Sequence, residues 1–322
     1  MAAIDKTLKF NVWNKLDKSV KLLNKDQNLV PINIALERKF TLNDVVNVAL
    51  NRFPVTVDNS VIEAIQECHK KYSRSQYNVN TKNEATNNNF KIYTEMSTCR
   101  AAVFIEIINI SQARSGVRPE ILEFLVEMLN LGVSPVFTSI ENAGFELIQI
   151  LEGKSGFCQT PNGEISVTEM YAEYKLNKIK LTDLEITKFS NSSFFLLASS
   201  ILLVAGISNV VSTLDVIAAL SCEALSVDTI IFDAIKYDIC RQHRGQSNSC
   251  SNLRLMLEGS KRCAENLGSD AKPFEHIPQI HGPIQECVNS VTKYLHILFL
   301  KKFTISHLKN NNCYKFAQFI EF

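Results

Sequence analysis

The chain has 322 residues, of which 46% are hydrophobic and 21% charged, and its formal net charge at pH 7 is +1. These values are those of a globular protein with a sizeable core, and they exclude nucleic-acid binding through a basic excess. Nine cysteines without paired spacing favour a reduced, cytoplasmic chain over a disulfide framework. The first twenty residues carry charges throughout, so they lack the apolar core of a signal peptide.

Helical periodicity predominates along the chain, and strand-like sequence is short. The first helix is predicted to begin after Thr41, because Asp44 three residues later completes a capping box. Asn59 caps the next helix in the same way, and "FPVTVD" between the two predicts a strand. Pro119 marks the first turn of a later helix and Gly132 its end. The predicted helices are 41–50, 59–72, 100–113, 119–132, 168–179, 191–213, 226–243, 251–267 and 283–300.

The segment 191–213 contains no charged residue and is long enough to cross a bilayer. Six hydroxyl or amide side chains interrupt it after Phe194, and no aromatic belt or flanking basic asymmetry marks its ends. Helices that are apolar all round also occur at the centre of large helical proteins. We therefore predict a buried helix here and no membrane partner.

Residue spacing alone suggests one candidate site, a metal site. Cys240 and His243 stand three residues apart, which would place two ligands on one helix face. Zinc needs three or four ligands, and Cys250 and Cys263 are the nearby candidates. The alternative is that the thiols are buried in the core and the histidine stands at a helix end, and we favour this alternative. No metal is predicted.

Six short phrases, in order between Phe40 and Val291, say more than composition does. They resemble segments of the histidine and aromatic amino acid ammonia-lyases. This resemblance implies a mostly α-helical fold, with a lyase-like N-terminal domain over 1–190 that includes a few short strands. A partial long-helix bundle would follow over 191–295 and a divergent tail over 296–322, with the family's C-terminal part missing. The phrases are "FTLNDVVNVALNRFPVTVDNSVIEAIQEC", "YNVNT", "SQARSGVRPEILEFLVEMLNLGVSPV", "PNGEISVTEMYAEYKL", "QHRGQSNSCSNLRLMLEGS" and "IPQIHGP".

The resemblance also predicts where a prosthetic group would form. In the family a turn reading Gly-Ser-x-Gly-Ala-Ser-Gly-Asp-Leu cyclises through its Ala-Ser-Gly to a methylidene-imidazolone, an electrophile. The corresponding turn here is "SIENAGFEL", and the aligned triad is Asn142-Ala143-Gly144. Shifting the alignment by one residue gives Ala143-Gly144-Phe145. In both registers the central residue has no hydroxyl to lose as water, so we predict no such cofactor. The acidic residues of the turn, Glu141 and Glu146, are expected to face solvent.

Four further positions correspond to functional residues of the family. Tyr77 matches the catalytic base, and Asn191 matches an Asn that contacts the substrate carboxylate. Lys272 and Glu275 stand where the family has a Tyr and the carboxylate-binding Arg. Glu in place of Arg makes that subsite repel a carboxylate. The structural alternatives are a packed aromatic for Tyr77 and a helix N-cap for Asn191.

The resemblance thus indicates a degenerate ammonia-lyase relative without lyase activity. Since the family assembles as helical homotetramers, its role would be that of an interaction protein, as a homo-oligomer or with a full-length relative. The alternatives are a working histidine or phenylalanine ammonia-lyase, which would release ammonia and an unsaturated acid, and a decaying gene product without function.

Overall fold

The structure is a computed structural model, and it describes residues 30–73, 95–112, 116–233, 243–263 and 272–301. Helices predominate in these ranges, as expected. They are α1 (Leu42–Leu50), α2 (Asn59–Ser73), α3 (Met96–Gln112), α4 (Pro119–Asn130), α5 (Ala143–Leu151), α6 (Val167–Tyr174), α7 (Asp183–Ser190), α8 (Phe194–Ala224), α9 (Arg244–Leu257), α10 (Lys272–Glu275) and α11 (Ile277–Lys301), with a 3₁₀ turn at Thr229–Phe232.

The chain divides into two compact units, each with its own buried residues. Of the described residues, the larger unit comprises 30–202 and 295–301, and the smaller unit comprises 203–294. The expected domain limits at 190 and 295 remain a prediction.

Five short strands belong to the larger unit. β1 (Ile32–Ile34) pairs in parallel with β2 (Val55–Val57), the strand expected from "FPVTVD". β3 (Ser134–Pro135), β4 (Phe157–Thr160) and β5 (Gly163–Ser166) form an antiparallel sheet that the sequence did not predict. At two to four residues each, these strands are too short for an alternating pattern to stand out.

Helix α3 lies at the centre of the larger unit and is buried on nearly every side. Its Arg100 is 3% exposed and donates to two carbonyls, Val48 O near the end of α1 (3.2 Å) and Leu129 O near the end of α4 (3.0 Å). Burial and the nearby Arg52 lower the pKa of Arg100 to about 10. The cation is nevertheless well placed, because helix C-termini present unpaired carbonyls and partial negative charge.

A buried ion pair fixes α7 against the start of α4. Glu185 on α7 is fully buried, and Arg118 donates to it from Nε (2.9 Å) and from Nη2 (2.9 Å). Burial alone would raise the pKa of Glu185, but hydrogen bonds from Arg118 and Thr182 lower it below its usual value. The pair therefore anchors the first turn of α7, the helix whose other end, at Phe189 and Ser190, lies against Gly144.

The helix ends test the capping rules. Thr41 and Asp44 form the predicted capping box, and Gly132 follows α4 with φ of 77° as a helix stop. Asn59 as a cap was wrong: α2 begins at Asn59, and the amides of the following turn bond to the carbonyl of Asp58.

The long apolar helix is present as α8, but the predicted burial is not found among the described residues. Asp183–Ala224 is one stretch of the described residues that is long and apolar enough to cross a bilayer, and 33% of its most apolar window is buried. Length and composition alone do not separate a membrane span from a core helix that packs against further chain. Hydropathy showed that α8 is apolar, but not what covers it.

The later helices differ from their predicted limits. In place of a helix over 226–243, the described part holds the 3₁₀ turn, and 234–242 lie outside the described residues. α9 begins at Arg244, seven residues before the predicted start. α11 begins at Ile277, six residues before the predicted start at Pro283, and continues through that proline.

Candidate functional site

The turn at 138–142 enters a helix in the larger unit. Ser139 Oγ accepts a hydrogen bond from the Asn142 amide (3.1 Å), and the Asn142 carbonyl accepts from the Glu146 amide (2.8 Å). Asn142 is the N-cap of α5, and Ala143 and Gly144 are its first two residues, both buried. The three residues aligned with the family's triad therefore form a regular helix start.

Glu146 holds this turn in place. Its Oε2 accepts from the Thr138 amide (2.9 Å), and its Oε1 accepts from the Thr138 hydroxyl. Burial raises the pKa of Glu146, and the bonds from Thr138 oppose that rise. The expectation that Glu146 faces solvent was wrong, because it satisfies backbone and hydroxyl donors on the strand side of the turn. Glu141 is exposed, as predicted.

Gly144 lies where α5 touches α7. A Cβ atom at this position would stand 2.1 Å from the Phe189 carbonyl oxygen and 3.2 Å from Ser190 Cα. Both are backbone atoms, so no side-chain movement would make room. The glycine is required by helix packing.

Asn191 lies directly after this contact, so the structure brings its segment close to the triad. It is exposed and ends α7, and its Nδ2 donates to the Thr187 carbonyl (3.0 Å). The interpretation as the N-cap of the apolar helix was therefore wrong: Asn191 is a C-cap. That assignment leaves its expected contact with a substrate untested.

A buried carboxylate that the sequence motifs did not single out lies beside these residues. Glu106 of α3 is 5% exposed, and its Oε2 accepts from Ser192 Oγ (2.8 Å) and Asn109 Nδ2 (2.9 Å). The sequence held a signal, since Glu106 is the one charged residue within "AAVFIEIINI". An acid inside an otherwise apolar helix is expected to have hydrogen-bonding partners.

Comparison with known proteins decides the family. The sequence profile described as aromatic amino acid lyase matches residues 85–298. The chain belongs to the aromatic amino acid lyase family. Histidine ammonia-lyase 2 of Fusobacterium nucleatum is 31% identical over 197 residues, which are 57% of this chain and 38% of that protein. A histidine ammonia-lyase of Caldanaerobacter subterraneus is 28% identical over 210 residues, 61% of this chain and 40% of that protein. The chain thus spans about two-fifths of the length of these relatives.

Solved structures show the same fold. The tyrosine aminomutase of Streptomyces globisporus has a TM-score of 0.73 at 21% identity, over 84% of this chain and 61% of that chain. The phenylalanine ammonia lyase of Rhodosporidium toruloides has a TM-score of 0.71 at 20% identity, over 88% and 48%. The mostly α-helical lyase fold expected from the sequence is confirmed.

Tyr77, the expected base, and Cys240, one half of the considered metal pair, are outside the described residues. Lys272 and Glu275 belong to α10 in the smaller unit, where Glu275 is half-buried. His243, the other half of the considered metal pair, is the exposed N-cap of α9.

Proposed function

We propose that this chain is a member of the aromatic amino acid lyase family that lacks lyase activity and acts through protein–protein contacts in the cytoplasm. The observation that carries the proposal is the residue at the centre of the triad, Ala143 or Gly144 according to the register. A methylidene group arises when a Ser loses its hydroxyl as water, and neither Ala nor Gly has a leaving group. The residues present therefore do not fit the family's prosthetic group, and no step is assigned to it.

The packing of Gly144 supports the proposal. Cyclisation would require the turn to bend upon itself, whereas residues 143–151 continue as a regular helix. In the register that places Gly144 at the centre, a serine would bring its Cβ to within 2.1 Å of the Phe189 carbonyl oxygen. Recovering the hydroxyl in that register would thus require α7 to move.

Charge supports it as well. The resemblance places Glu275 where the family binds the substrate carboxylate with Arg. Two like charges cannot form the bidentate hydrogen bonds that an Arg–carboxylate pair makes, and they repel each other. An amino acid substrate would lose both orientation and affinity.

Exposed apolar residues in the smaller unit support an interaction role. On α8, Leu203, Val210 and Ile217 recur every seven residues and are all exposed. α11 carries a second set of exposed apolar residues, namely Ile280, Ile284, Val291 and Tyr294. Seven-residue spacing is typical of a surface that packs against another helix. The partner would be a second copy of the chain or a longer relative with matching helices.

An amino acid deamination assay tests the proposal. We expect no urocanate, cinnamate or coumarate from L-histidine, L-phenylalanine or L-tyrosine after long incubation of the purified chain. Tyr77→Phe is the matched control, because it removes the hydroxyl of the expected base. Sustained product that this substitution abolishes would show a working ammonia-lyase and would overturn the proposal.

A further inference from the structure

A buried carboxylate in the smaller unit, Asp215 of α8, joins three helices. It is 2% exposed and its two oxygens meet four side chains. From α9, Ser249 Oγ donates to Oδ1 (2.6 Å) and Asn252 Nδ2 donates to Oδ2 (2.8 Å). From α11, His281 Nδ1 lies 2.8 Å from Oδ1, and Gln285 Nε2 donates to Oδ2 (3.1 Å). Each oxygen therefore has two partners.

This arrangement fixes the tautomer of His281. A carboxylate only accepts hydrogen bonds, so Nδ1 carries the hydrogen that points at Asp215. In the neutral ring the lone pair then resides on Nε2. The same device, a carboxylate holding one imidazole nitrogen, increases the basicity of the other nitrogen in metal and catalytic sites.

The His281 ring is partly exposed. Its side chain keeps 15% of its surface exposed. Among the described residues, the side-chain atoms buried without a partner are Ser134 Oγ and Gln246 Oε1, so Nε2 is not one of them. The ring is thus held at Nδ1 and keeps part of its surface exposed.

We propose that His281 is a modification site whose Nε2 takes neutral acyl donors. The Nε2 lone pair attacks the acyl carbon, and a nitrogen–carbon bond forms. The bond from that carbon to the leaving group breaks, and the leaving group departs with the electron pair. The Nδ1 proton passes to Asp215 Oδ1, 2.8 Å away, so the acylated ring and this carboxyl group are both neutral, and the leaving group departs as its anion. This inference is independent of the proposed function, since it concerns residues outside the triad.

Charge favours acyl over phosphoryl donors. Asp215 holds a carboxylate against the ring, and a phosphoryl donor would bring further negative charge beside it. Glu286, on the same helix as His281, accepts a hydrogen bond from the Gly245 amide (2.6 Å) and adds the carboxylate of α11 to that of Asp215 on α8. A neutral carbonyl compound meets no such repulsion.

Diethyl pyrocarbonate is the probe, applied to the whole chain, with modified peptides quantified by mass spectrometry. His276 is the internal control, because it is exposed and its Nδ1 faces the Gln279 amide oxygen (3.2 Å), not a carboxylate. We expect His281 to react at least as fast as His276 despite its lower exposure. Asp215→Asn should slow the carbethoxylation of His281 about tenfold or more, because the tautomer with an unprotonated Nε2 is then no longer held. The rate at His276 should be unchanged.

A second measurement needs no variant and so does not depend on whether Asp215→Asn folds. Nitrogen-15 NMR of the unaltered chain, recorded on the neutral ring, should show a protonated Nδ1 and an unprotonated Nε2 at His281. The proposal is overturned if Nε2 carries the single proton of the neutral ring, or if His281 reacts about tenfold more slowly than His276 in the unaltered chain. Labelling of His281 by acetyl phosphate as a phosphohistidine, without carbethoxylation, would also overturn it in favour of phosphoryl donors.

Discussion

The triad turn of the larger unit and the Asp215 cluster of the smaller unit differ in whether their sequence motif matches how their residues are packed. The turn has the sequence context of a reactive group, yet Ala143 and Gly144 are packed as the first turn of a helix. Asp215 has no motif around it, yet it collects donors from two other helices and leaves His281 oriented. Family likeness located the first region, and only the folded chain shows the second. Motif position is therefore a poor guide to which polar groups are arranged for chemistry.

The largest loss of stability is expected where α5 packs against α7 at Gly144. Gly144→Ala should destabilise the fold by about 3 kcal/mol, because the added methyl meets backbone of α7 that cannot rotate away. Gly206→Ala is the matched control, since Gly206 lies in α8 with nothing within 4 Å of its added Cβ. That variant should be neutral or stabilising by up to about 1 kcal/mol. Urea unfolding measures both, and equal stabilities would contradict the packing account.

The next effect concerns the Asp215 cluster. Asp215→Ala leaves donors of α9 and α11 without their acceptor, and we expect a loss of about 2 kcal/mol or more in the free energy of unfolding. Asp44→Ala, which removes the partly exposed capping box of α1, should cost about 1 kcal/mol. Chemical denaturation of both variants ranks them. A smaller loss for Asp215 than for Asp44 would mean that the cluster does not hold the helices together.

How much the sequence predicted depends on the range of the interaction. The capping box at Thr41 and the stop at Gly132 were predicted correctly, because every atom involved lies within a few residues. The bonds of Asp215 span 34 to 70 residues, so no local pattern records them. Burial of α8 among the described residues was predicted wrongly, because composition reports how apolar a helix is and not what covers it. The role of Gly144 could not be seen either, since it depends on where α7 crosses α5.

Restoring the triad tests whether the turn alone lost its chemistry. Asn142→Ala combined with Ala143→Ser rebuilds Ala-Ser-Gly without touching Gly144. We expect no product from phenylalanine or histidine, because Glu275 opposes the substrate carboxylate and misplacement by about 1 Å can reduce a rate 10²-fold. Adding Glu275→Arg should recover little. Turnover by the double variant would show that the rest of the site is intact.

The smallest expected effect is a contrast in pH dependence between two glutamates of the larger unit. The folded-state pKa of Glu146 is raised by burial, so the folded chain takes up a proton more readily than the unfolded chain. Relative to Glu146→Gln, the unaltered chain should gain stability as pH falls through that raised pKa towards the unfolded value of about 4.3. The pKa of Glu185 is lowered instead, despite its burial, by its hydrogen bonds from Arg118 and Thr182. Relative to Glu185→Gln, the unaltered chain should therefore lose stability as pH falls below about 4.3 and through the lowered pKa. Denaturation midpoints across this pH range measure both slopes, and slopes of the same sign would contradict the assignments.

Intact-mass spectrometry of the purified chain shows directly whether the triad has cyclised. Formation of the family's electrophile removes two waters from the triad, whichever register applies. We expect a mass equal to that of the encoded sequence, with an unmodified peptide covering Asn142 to Phe145. Loss of two waters mapped to that peptide would contradict this expectation. It would show that the chain forms the electrophile of the catalytic members of its family.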